Sequence, residues 1–562
     1  MLGRRRDDQG RRVRTRAALR RRLAGVRLGE HDITIERDLP VPMDDGTVLL
    51  ADLIRPVGDP PPGLPTVLVR GPYGRRGLVA TSAEALATYG FPVVFQSCRG
   101  TWGSVGTFTP QVDEAADGAA THAWVRRQEW FTGTLATYGA SYMGYTQWAA
   151  AAALSRTEAP SPDAMVLVTT MANFGEVTWQ NGALTLQTAL GWSRMMDRME
   201  RGGLALLFFL LPDPRLRKAF GALPLRDADL AAAGHRIRWW PDWIDHEDLD
   251  SDYWTRQSHT AAVPAIDVPM FMITGWYDVF LPFQLRTYVL ARDAGNAPRL
   301  VIGPWAHVSR GMGPTAVEDA ADFLRRPLDG GGSPAPVRVH VTGAEEWVDL
   351  PAWPPADVTA DRRYLLPDGE LGATAPEGVG APSRYRYDPR DPTPSVGGAA
   401  VELKRSLPQD NRGLEARDDV LTFTGPPLAE PLDIAGEPVA TIALTATARS
   451  VDLFVRLCDV HPDGRSMTVC DGITRVAVGG GPTEGPQPAE VRLWPTAHRF
   501  RAGHRLRVQV SSGAHPRFAR NPGTGEPTAT ATDLVAADVA VHSSGVSPSS
   551  LDLPVWTRGS AP

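Results

Sequence analysis

Short apolar segments alternate with helical ones between residues 66 and 171, and this alternation constrains the fold more than any other feature. Residues 66–70 and 92–97 have the length and composition of buried strands, and helical periodicity follows over 113–128. A further strand, TLATYG, leads into an alanine-rich helix. Strands that alternate with helices predict a mostly parallel sheet with helices on both faces.

The alternation stops near residue 172 and resumes near residue 263, so the residues between them form an insertion. Their helical spacing and weak strand character predict a helical cap. Beyond residue 335 proline and glycine are dense and short β-rich runs recur, which predicts a β-sandwich of the jelly-roll type. The predicted domains are a basic disordered tail, the first part of an α/β core, a helical cap, the second part of the core and a C-terminal β-domain: 1–30, 31–171, 172–262, 263–334 and 335–562.

The first 30 residues are rich in arginine and lack the apolar segment of a secretory signal. A mobile, solvated tail is one interpretation, and an arm that binds nucleic acid or acidic lipid is the other. The net charge of −6 gives the whole chain no attraction for nucleic acid or anionic membranes, and no apolar run is long enough to span a membrane. We therefore expect a cytoplasmic protein without a nucleic-acid or membrane partner; its oligomeric state stays open, a homodimer included.

The chain has three cysteines, Cys98, Cys458 and Cys470, and this odd number does not suggest a disulfide framework. Buried free thiols are the expected state. A disulfide between Cys458 and Cys470 across a hairpin is the alternative that the sequence leaves open.

The strongest local motif is GASYMG at 139–144, between a predicted strand and the alanine-rich helix. A serine on such a turn needs small neighbours, because a strained backbone lifts its hydroxyl above the sheet. Ser141 is therefore the candidate nucleophile, and the N–H of Tyr142 would point from the helix N-terminus to the position of an oxyanion. The match to G-x-S-x-G is imperfect, since Met143 stands where the second glycine belongs, and serines between glycines are common in loops.

A serine hydroxyl needs a base and an orienting acid to become an effective nucleophile. Asp278 and His307 follow the predicted strands 269–275 and 298–303 by three or four residues, in the chain order Ser, acid, His of α/β-hydrolases. Either residue alone could be a helix-capping aspartate or a surface histidine. Their shared order and placement favour a triad of Ser141, Asp278 and His307.

The loop RGPYG at 70–74 follows an early predicted strand and could bring the Tyr73 hydroxyl to the same site, although half-buried loop tyrosines are commonplace. The sequence has no glycine motif for dinucleotides or phosphates, no HExxH, and no Cys/His cluster with zinc-ligand spacing. We therefore predict neither a metal nor an organic cofactor.

The sequence resembles the cocaine esterase (CocE/NonD) family of α/β-hydrolases, which is related to the X-Pro dipeptidyl peptidases and the α-amino acid ester hydrolases. The resemblance runs from about residue 31 nearly to the end. It rests on motifs that occur in the family's order: RGPYG (70–74), RGTWGSVGTF (99–108), EAADG (114–118), GASYMGYTQW (139–148), GWYDVF (275–280), GPWAH (303–307), DVHPDGR (459–465) and SSGAHPRFARNPGTGE (511–526).

This resemblance implies an α/β-hydrolase core, an inserted helical cap and a C-terminal jelly roll, and it gives the serine, aspartate and histidine named above the roles of nucleophile, acid and base. It also implies that the Tyr73 hydroxyl and the Tyr142 N–H form the oxyanion hole. Relatives pack the acyl group against aromatic side chains. Trp179, Trp192 and Phe280 stand at such positions here, where ordinary core packing is the alternative.

The sequence departs from its relatives in two places. Ser97 and Cys98 stand where relatives often carry an aspartate, a change that leaves the triad intact. The α-amino acid ester hydrolases follow their triad aspartate with acidic residues that hold a substrate ammonium, whereas residues 279–282 here are VFLP. We therefore expect carboxylic esters with hydrophobic or aryl acyl groups as small-molecule substrates. An amidase, peptidase or acyltransferase with the same triad stays open, as does a non-catalytic binding protein on a hydrolase scaffold.

Overall fold

The computed structural model describes residues 4–6, 12–14, 25–201, 213–307, 309–326, 336–378, 380–400, 406–478 and 485–558. The chain divides into two compact units. The first unit comprises Met1–Phe174, Trp254–Gly275 and Phe283–Val337, and the second comprises Gly175–Tyr253, Trp276–Pro282 and Arg338–Pro562. Within the described ranges, no helix combines the length and the apolar character needed to cross a membrane.

The first unit is built on a sheet that is parallel at its centre and antiparallel at its N-terminal edge. Alternate residues of each central strand enter two separate apolar clusters, with Val67 and Val69 in one and Leu68 in the other. Both faces of the sheet are therefore buried, as parallel sheets require. Its strands lie side by side in the order Arg4–Arg6, Arg12–Arg14, Ile33–Pro42, Val48–Pro56, Val93–Ser97, Thr66–Gly71, Leu135–Ala140, Ala164–Val168, Met270–Tyr277 and Arg299–Ala306.

Helices connect these strands as the alternating pattern predicts, and the predicted α/β architecture is confirmed. The helices of this part of the chain are Thr81–Thr88, Glu114–Arg126, Tyr142–Leu154, Leu281–Asp293 and Ala320–Arg325, with single turns at Thr260–Ala265, Arg310–Met312 and Thr315–Asp319. The Leu281–Asp293 helix is the crossover between Met270–Tyr277 and Arg299–Ala306, which are neighbours in the sheet, and such a connection is typical of parallel strands.

Residues 1–30, expected to be a disordered tail, contribute two short strands in their described part. Arg12–Arg14 pairs antiparallel with the start of Ile33–Pro42, and Arg4–Arg6 pairs with Arg12–Arg14. An edge strand leaves a row of backbone donors and acceptors without partners, and Arg12–Arg14 pairs with the first three residues of that strand. The rest of the predicted tail up to residue 24 lies outside the described residues.

The second unit contains the predicted cap residues and the C-terminal β-domain together. Its helices are Gly175–Thr178, Leu186–Glu200, Pro214–Ala219, Ala228–Ala233, Trp240–Asp245, Asp252–Thr255 and Arg412–Glu415, with single turns at Leu225–Asp227 and Pro367–Gly369. Backbone hydrogen bonds join the helical segment to the β-domain, from Gln187 to Pro516 and from Ala519 to Leu184. The predicted boundaries at 171, 262 and 334 lie close to the divisions between the units.

The β-domain is mostly antiparallel, as predicted, and buries an apolar cluster between its strands. The strands of its sheet are Val358–Leu366, Glu370–Gly372, Ser383–Tyr387, Leu421–Thr424, Leu432–Gly436, Val439–Ala446, Ser450–Val460, Ser466–Ala477, Gln487–Arg492, Thr496–Phe500, Arg505–Ser511, Ala537–His542 and Ser550–Trp556. Two strands that precede them in the chain, Val337–Val341 and Glu346–Leu350, do not belong to this sheet. Two further short strands, Trp179–Gln180 and Ala183–Leu184, pair within the helical segment.

All three cysteines are free and buried, which confirms that expectation. Cys458 and Cys470 lie on the paired strands Ser450–Val460 and Ser466–Ala477, but the register places Cys470 opposite Leu457 and Cys458 opposite Thr468. The alternative of a hairpin disulfide is therefore not realised.

Candidate active site

Ser141 occupies a sharp turn between the central strand Leu135–Ala140 and the helix Tyr142–Leu154. Its backbone has φ 59° and ψ −127°, a conformation that costs a non-glycine residue about 1–3 kcal/mol. Such a turn at the carboxyl end of a parallel strand has the geometry of a nucleophile elbow, the arrangement that the GASYMG motif predicts. Its side chain is half-buried, so the hydroxyl is held in a defined place without being sealed from solvent.

Backbone hydrogen bonds hold this turn in its strained conformation. The Ser141 N–H donates to the carbonyls of Val168 and Thr169, at 3.0 and 3.1 Å. The Ser141 carbonyl accepts from the Gly144 N–H at 2.9 Å and from the Thr170 hydroxyl at 2.8 Å. The neighbouring strand Ala164–Val168 and the residues after it therefore fix the serine, a role that no sequence motif indicates.

The glycines around the serine are required by close contacts. A Cβ at Gly139 would come within 2.4 Å of the Met143 carbonyl oxygen, and one at Gly144 within 2.4 Å of the Thr170 side chain. Met143, which replaces the expected second glycine, lies against Gly71, where a Cβ would meet its Cγ at 2.5 Å. The departure from G-x-S-x-G is thus accommodated by a glycine on the adjacent strand.

The two proposed oxyanion donors follow neighbouring strands. Tyr142 is the first residue of its helix, where backbone N–H groups and the helix dipole favour an anion. Tyr73 is half-buried in the loop after Thr66–Gly71, and this strand pairs in parallel with Leu135–Ala140. Both residues therefore follow the carboxyl ends of adjacent parallel strands.

A buried polar network lies behind Tyr142. The Tyr142 hydroxyl donates to Glu114 Oε1 at 3.0 Å and accepts from the Gln111 N–H at 2.7 Å. The Arg70 guanidinium lies 3.2 Å from Glu114 Oε2, and the Cys98 thiol donates to the same oxygen at 3.5 Å. Burial raises the pKa of Glu114, and Arg70 opposes that rise. The EAADG motif therefore contains a carboxylate that anchors the residue after the nucleophile.

Burial also keeps the Cys98 thiol protonated. It raises the pKa of Cys98 well above the ordinary value, and the nearby Glu114 carboxylate adds to this effect. A protonated thiol can donate to the carboxylate and is a poor nucleophile. Cys98, which stands where relatives often carry an aspartate, is thus a structural residue here.

His307 is more exposed than His122 and His259 of the first unit. His122 and His259 are buried, and burial lowers their pKa values to about 3 and about 4, with Arg70 and Arg156 as the next contributions. His259 also contacts the Tyr145 hydroxyl at 3.1 Å. His307 instead is half-buried directly after the strand Arg299–Ala306.

The turn that carries His307 is closed by Ser309. Its N–H donates to the Ala306 carbonyl at 3.0 Å, and its hydroxyl accepts from the Ala306 N–H at 2.8 Å. The strand ends before this turn approach closely, since a Cβ at Gly275 would meet the Trp305 carbonyl oxygen at 2.3 Å. A Cβ at Gly303 would meet the Trp305 ring at 2.4 Å, so the glycines of the GWYD and GPWAH motifs are steric requirements.

Asp278 follows the strand Met270–Tyr277 directly and is fully buried. Its Oδ1 accepts from the Phe280 N–H at 2.8 Å, and its carbonyl accepts from the Leu281 N–H at 3.2 Å. These bonds hold the carboxylate in one orientation at the start of the next helix. Asp278 can therefore cap the next helix and also serve as the predicted orienting acid.

The candidate pocket aromatics differ in exposure. Trp179 is 1% exposed and donates from Nε1 to the Trp243 carbonyl at 2.9 Å, as a core residue does. Phe280 is also buried. Trp192 is half-buried and stacks on Trp243, with ring centroids 5.6 Å apart, and Trp239 packs beside both. Trp239 and Trp243, which the sequence analysis did not select, thus form the support for Trp192.

Two family models match the chain. The model described as X-Pro dipeptidyl-peptidase (S15 family) matches residues 45–309, and the model of the X-Pro dipeptidyl-peptidase C-terminal non-catalytic domain matches residues 331–552. The cocaine esterase of Rhodococcus sp. (strain MB1 Bresler) is 31% identical over 93% of this chain and 99% of its own.

Solved structures share the fold across nearly the whole chain. An aminopeptidase from a marine sediment Thaumarchaeota archaeon has a TM-score of 0.79 at 22% identity, covering 94% of this chain and 97% of its own. An α-amino acid ester hydrolase has a TM-score of 0.77 at 24% identity, covering 93% and 97%. These likenesses and the match to the esterase agree with the resemblance found in the motifs. The chain belongs to the cocaine esterase (CocE/NonD) family of α/β-hydrolases, and it is a serine hydrolase.

Proposed function

We propose that the protein is a serine esterase in which Ser141 attacks a carboxylic ester, with His307 as the base and Asp278 as the acid that orients it. The observation that carries this proposal is the strained backbone of Ser141 between a parallel strand and a helix. A protein without a nucleophile at this turn would have no chemical need to retain such strain. The placement of Asp278 and His307 directly after two further strands supports the same assignment.

The mechanism has two acyl-transfer steps. His307 takes the proton as the Ser141 oxygen attacks the ester carbonyl, and then protonates the leaving alcohol. It next activates water, which releases the acid from the acyl-enzyme. The Tyr73 hydroxyl and the Tyr142 N–H stabilise the oxyanion in both steps, and each donor contributes roughly 3 kcal/mol to lowering the barrier.

Esters with hydrophobic or aryl acyl groups are the proposed substrates. The residues after Asp278, Val279 to Pro282, carry no charge to hold a substrate ammonium. The half-buried Trp192, stacked on Trp243, offers an apolar ring surface, although the burial of Trp179 and Phe280 favours a packing role for those two. Cleavage of amides or peptides by the same triad is the second candidate, because the matching family model is that of a peptidase.

The test compares the wild type with Ser141→Ala on p-nitrophenyl acetate, butyrate and benzoate, and on the matching anilides. We expect ester turnover to fall by several orders of magnitude in the variant. Ser155→Ala, at the end of the same helix, is the matched control and should keep full activity. The esterase assignment would be contradicted if the wild type were inactive and a fluorophosphonate did not label Ser141. That result would favour a binding protein. Faster cleavage of the anilides would favour the peptidase.

A further inference from the structure

Three potential metal ligands meet in the β-domain, in the second unit and outside the residues of the proposed triad. Asp459 lies near the end of the strand Ser450–Val460, and His461 begins the turn that follows. His504 directly precedes the strand Arg505–Ser511. The two strands pair antiparallel with Val460 opposite Arg505, so the three side chains lie beside one another.

The distances within this Asp459–His461–His504 cluster suit a single ion. Each residue offers one ligand atom, and these atoms all lie within 4.8 Å of one another. His504 Nδ1 is 2.8 Å from Asp459 Oδ1, and His461 Nε2 is 3.7 Å from Asp459 Oδ2. Ligands of a tetrahedral zinc ion at about 2.0–2.2 Å from the metal are themselves about 3.3 Å apart, so the two distances to Asp459 need to change by about half an ångström and no pair by more than about 1.5 Å.

The surroundings leave the cluster accessible and partly organised. Asp459 is buried, whereas the side chains of His461 and His504 are 26% and 12% exposed, so an ion can enter from solvent. His498 Nε2 lies 3.4 Å from Asp459 Oδ2, and its Nδ1 is 2.8 Å from the Thr342 hydroxyl. A histidine held in this way fixes the carboxylate as an outer-shell partner does in metal sites.

The positive charge of Arg465 lies near the cluster and would repel a cation, but the Asp463 carboxylate neutralises it. The Arg465 guanidinium lies 3.3 Å from His461 Nδ1, the ring nitrogen away from the carboxylate. Its Nε donates to Asp463 Oδ2 at 2.8 Å. The nitrogen of His461 that approaches Asp459 is Nε2. A metal binds Nε2 only when the ring proton lies on Nδ1, so the Arg465 contact to Nδ1 must open as the ion binds.

We propose that Asp459, His461 and His504 bind one divalent transition-metal ion of the zinc type. Two imidazoles and one carboxylate favour zinc and its neighbours over calcium or magnesium, which prefer oxygen ligands throughout. The ion would take the place of the proton between His504 and Asp459, and water would complete its coordination. It would join the turn 461–465 to the turn 501–504 and stabilise the β-domain, without a part in ester cleavage.

The sequence did not indicate this site, because its ligands come from separate turns and lack the short spacings of zinc motifs. The DVHPDGR motif supplies Asp459 and His461, and the third ligand is brought in only by strand pairing.

The experiment titrates chelator-treated protein with zinc chloride against a chromophoric chelator. We expect one equivalent to bind, and both His461→Asn and His504→Asn to weaken this binding at least tenfold. His542→Asn, a partly buried histidine elsewhere in the β-domain, is the matched control and should bind like the wild type. Ester hydrolysis should be the same with and without zinc.

Hydrogen exchange of the wild type provides a measurement that does not depend on a variant folding. Zinc should slow exchange in peptides that cover 459–465 and 501–505 and leave the rest of the β-domain unchanged. Unchanged exchange in both turns, or zinc binding that survives in the His461→Asn/His504→Asn double variant, would overturn the proposal.

Discussion

The proposed oxyanion hole has two donors, the Tyr73 hydroxyl and the Tyr142 backbone N–H. Only the Tyr73 donor belongs to a side chain and can be removed by substitution. Replacement by phenylalanine keeps the ring in the loop after Thr66–Gly71 and removes only the hydroxyl. A donor that acts mainly in the transition state lowers kcat when it is lost and leaves KM nearly unchanged.

We therefore expect Tyr73→Phe to lower kcat by about 10²–10³, measured by steady-state hydrolysis of p-nitrophenyl butyrate. Tyr364→Phe, in a strand of the β-domain, is the control. A Tyr73→Phe enzyme with wild-type kcat would remove this hydroxyl from the oxyanion hole and leave backbone donors alone.

The residues of the candidate site and the buried residues behind it differ in how far the sequence predicts their roles. Ser141, Asp278 and His307 could be predicted as a triad, because its chemistry demands particular residue types at the ends of strands. Glu114 was visible within the EAADG motif, but its contact with the Tyr142 hydroxyl depends on how one helix packs beside another. A buried carboxylate of this kind has no local spacing that distinguishes it from a carboxylate on the surface.

At the scale of elements, the strand–turn–helix around Ser141 has little room for larger side chains. A methyl group at Gly144 would come within 2.4 Å of both Cβ and Oγ1 of Thr170, whose hydroxyl bonds the Ser141 carbonyl. Gly144→Ala must therefore displace Thr170 or move the helix, and either change releases the serine turn.

We expect Gly144→Ala to destabilise the protein by about 1–3 kcal/mol and to lower kcat. Urea denaturation and the esterase assay measure the two effects. Gly413→Ala is the control, because a Cβ at Gly413 meets no atom within 4 Å. Full activity of Gly144→Ala at unchanged stability would contradict this account of the turn.

The elements themselves were largely predictable, because the strands of the core are short apolar runs with turn residues between them. The strands Thr66–Gly71 and Val93–Ser97, and the strand and helix on either side of Ser141, fall where the pattern put them. The N-terminal strands Arg4–Arg6 and Arg12–Arg14 were missed. Their arginines give no strand signal, and only the open edge of a neighbouring strand explains their pairing.

At the scale of the whole molecule, the stability of the second unit depends on a buried ionic network. Asp471 lies between Arg456 and Arg517, at 2.9 and 2.6 Å, and all three side chains are buried. Burial tends to raise the pKa of Asp471, but Arg517 and Arg456 outweigh it and hold the pKa below its ordinary value. Removing this charge would leave two buried guanidinium groups without their partner.

We expect Asp471→Asn to destabilise the protein by about 3–5 kcal/mol at pH 7, measured by urea denaturation. Asp538→Asn, which removes an exposed ion pair with Arg386, should cost less than about 1 kcal/mol. Because the folded-state pKa is lowered, the contribution of Asp471 is present above the unfolded pKa near 3.8 and is lost as pH falls through the folded value. Equal losses in the two variants would contradict a special role for this network.

The division into two units has a consequence for how the chain is made. Residues 175–253 leave the ribosome before the strands Met270–Tyr277 and Arg299–Ala306, yet they belong with a β-domain whose last strand ends at Trp556. The backbone hydrogen bonds from Gln187 to Pro516 and from Ala519 to Leu184 can therefore form only after residue 519 has been added. Until then the helical segment lacks these contacts with the β-domain. During that interval the protein is a natural client for chaperones.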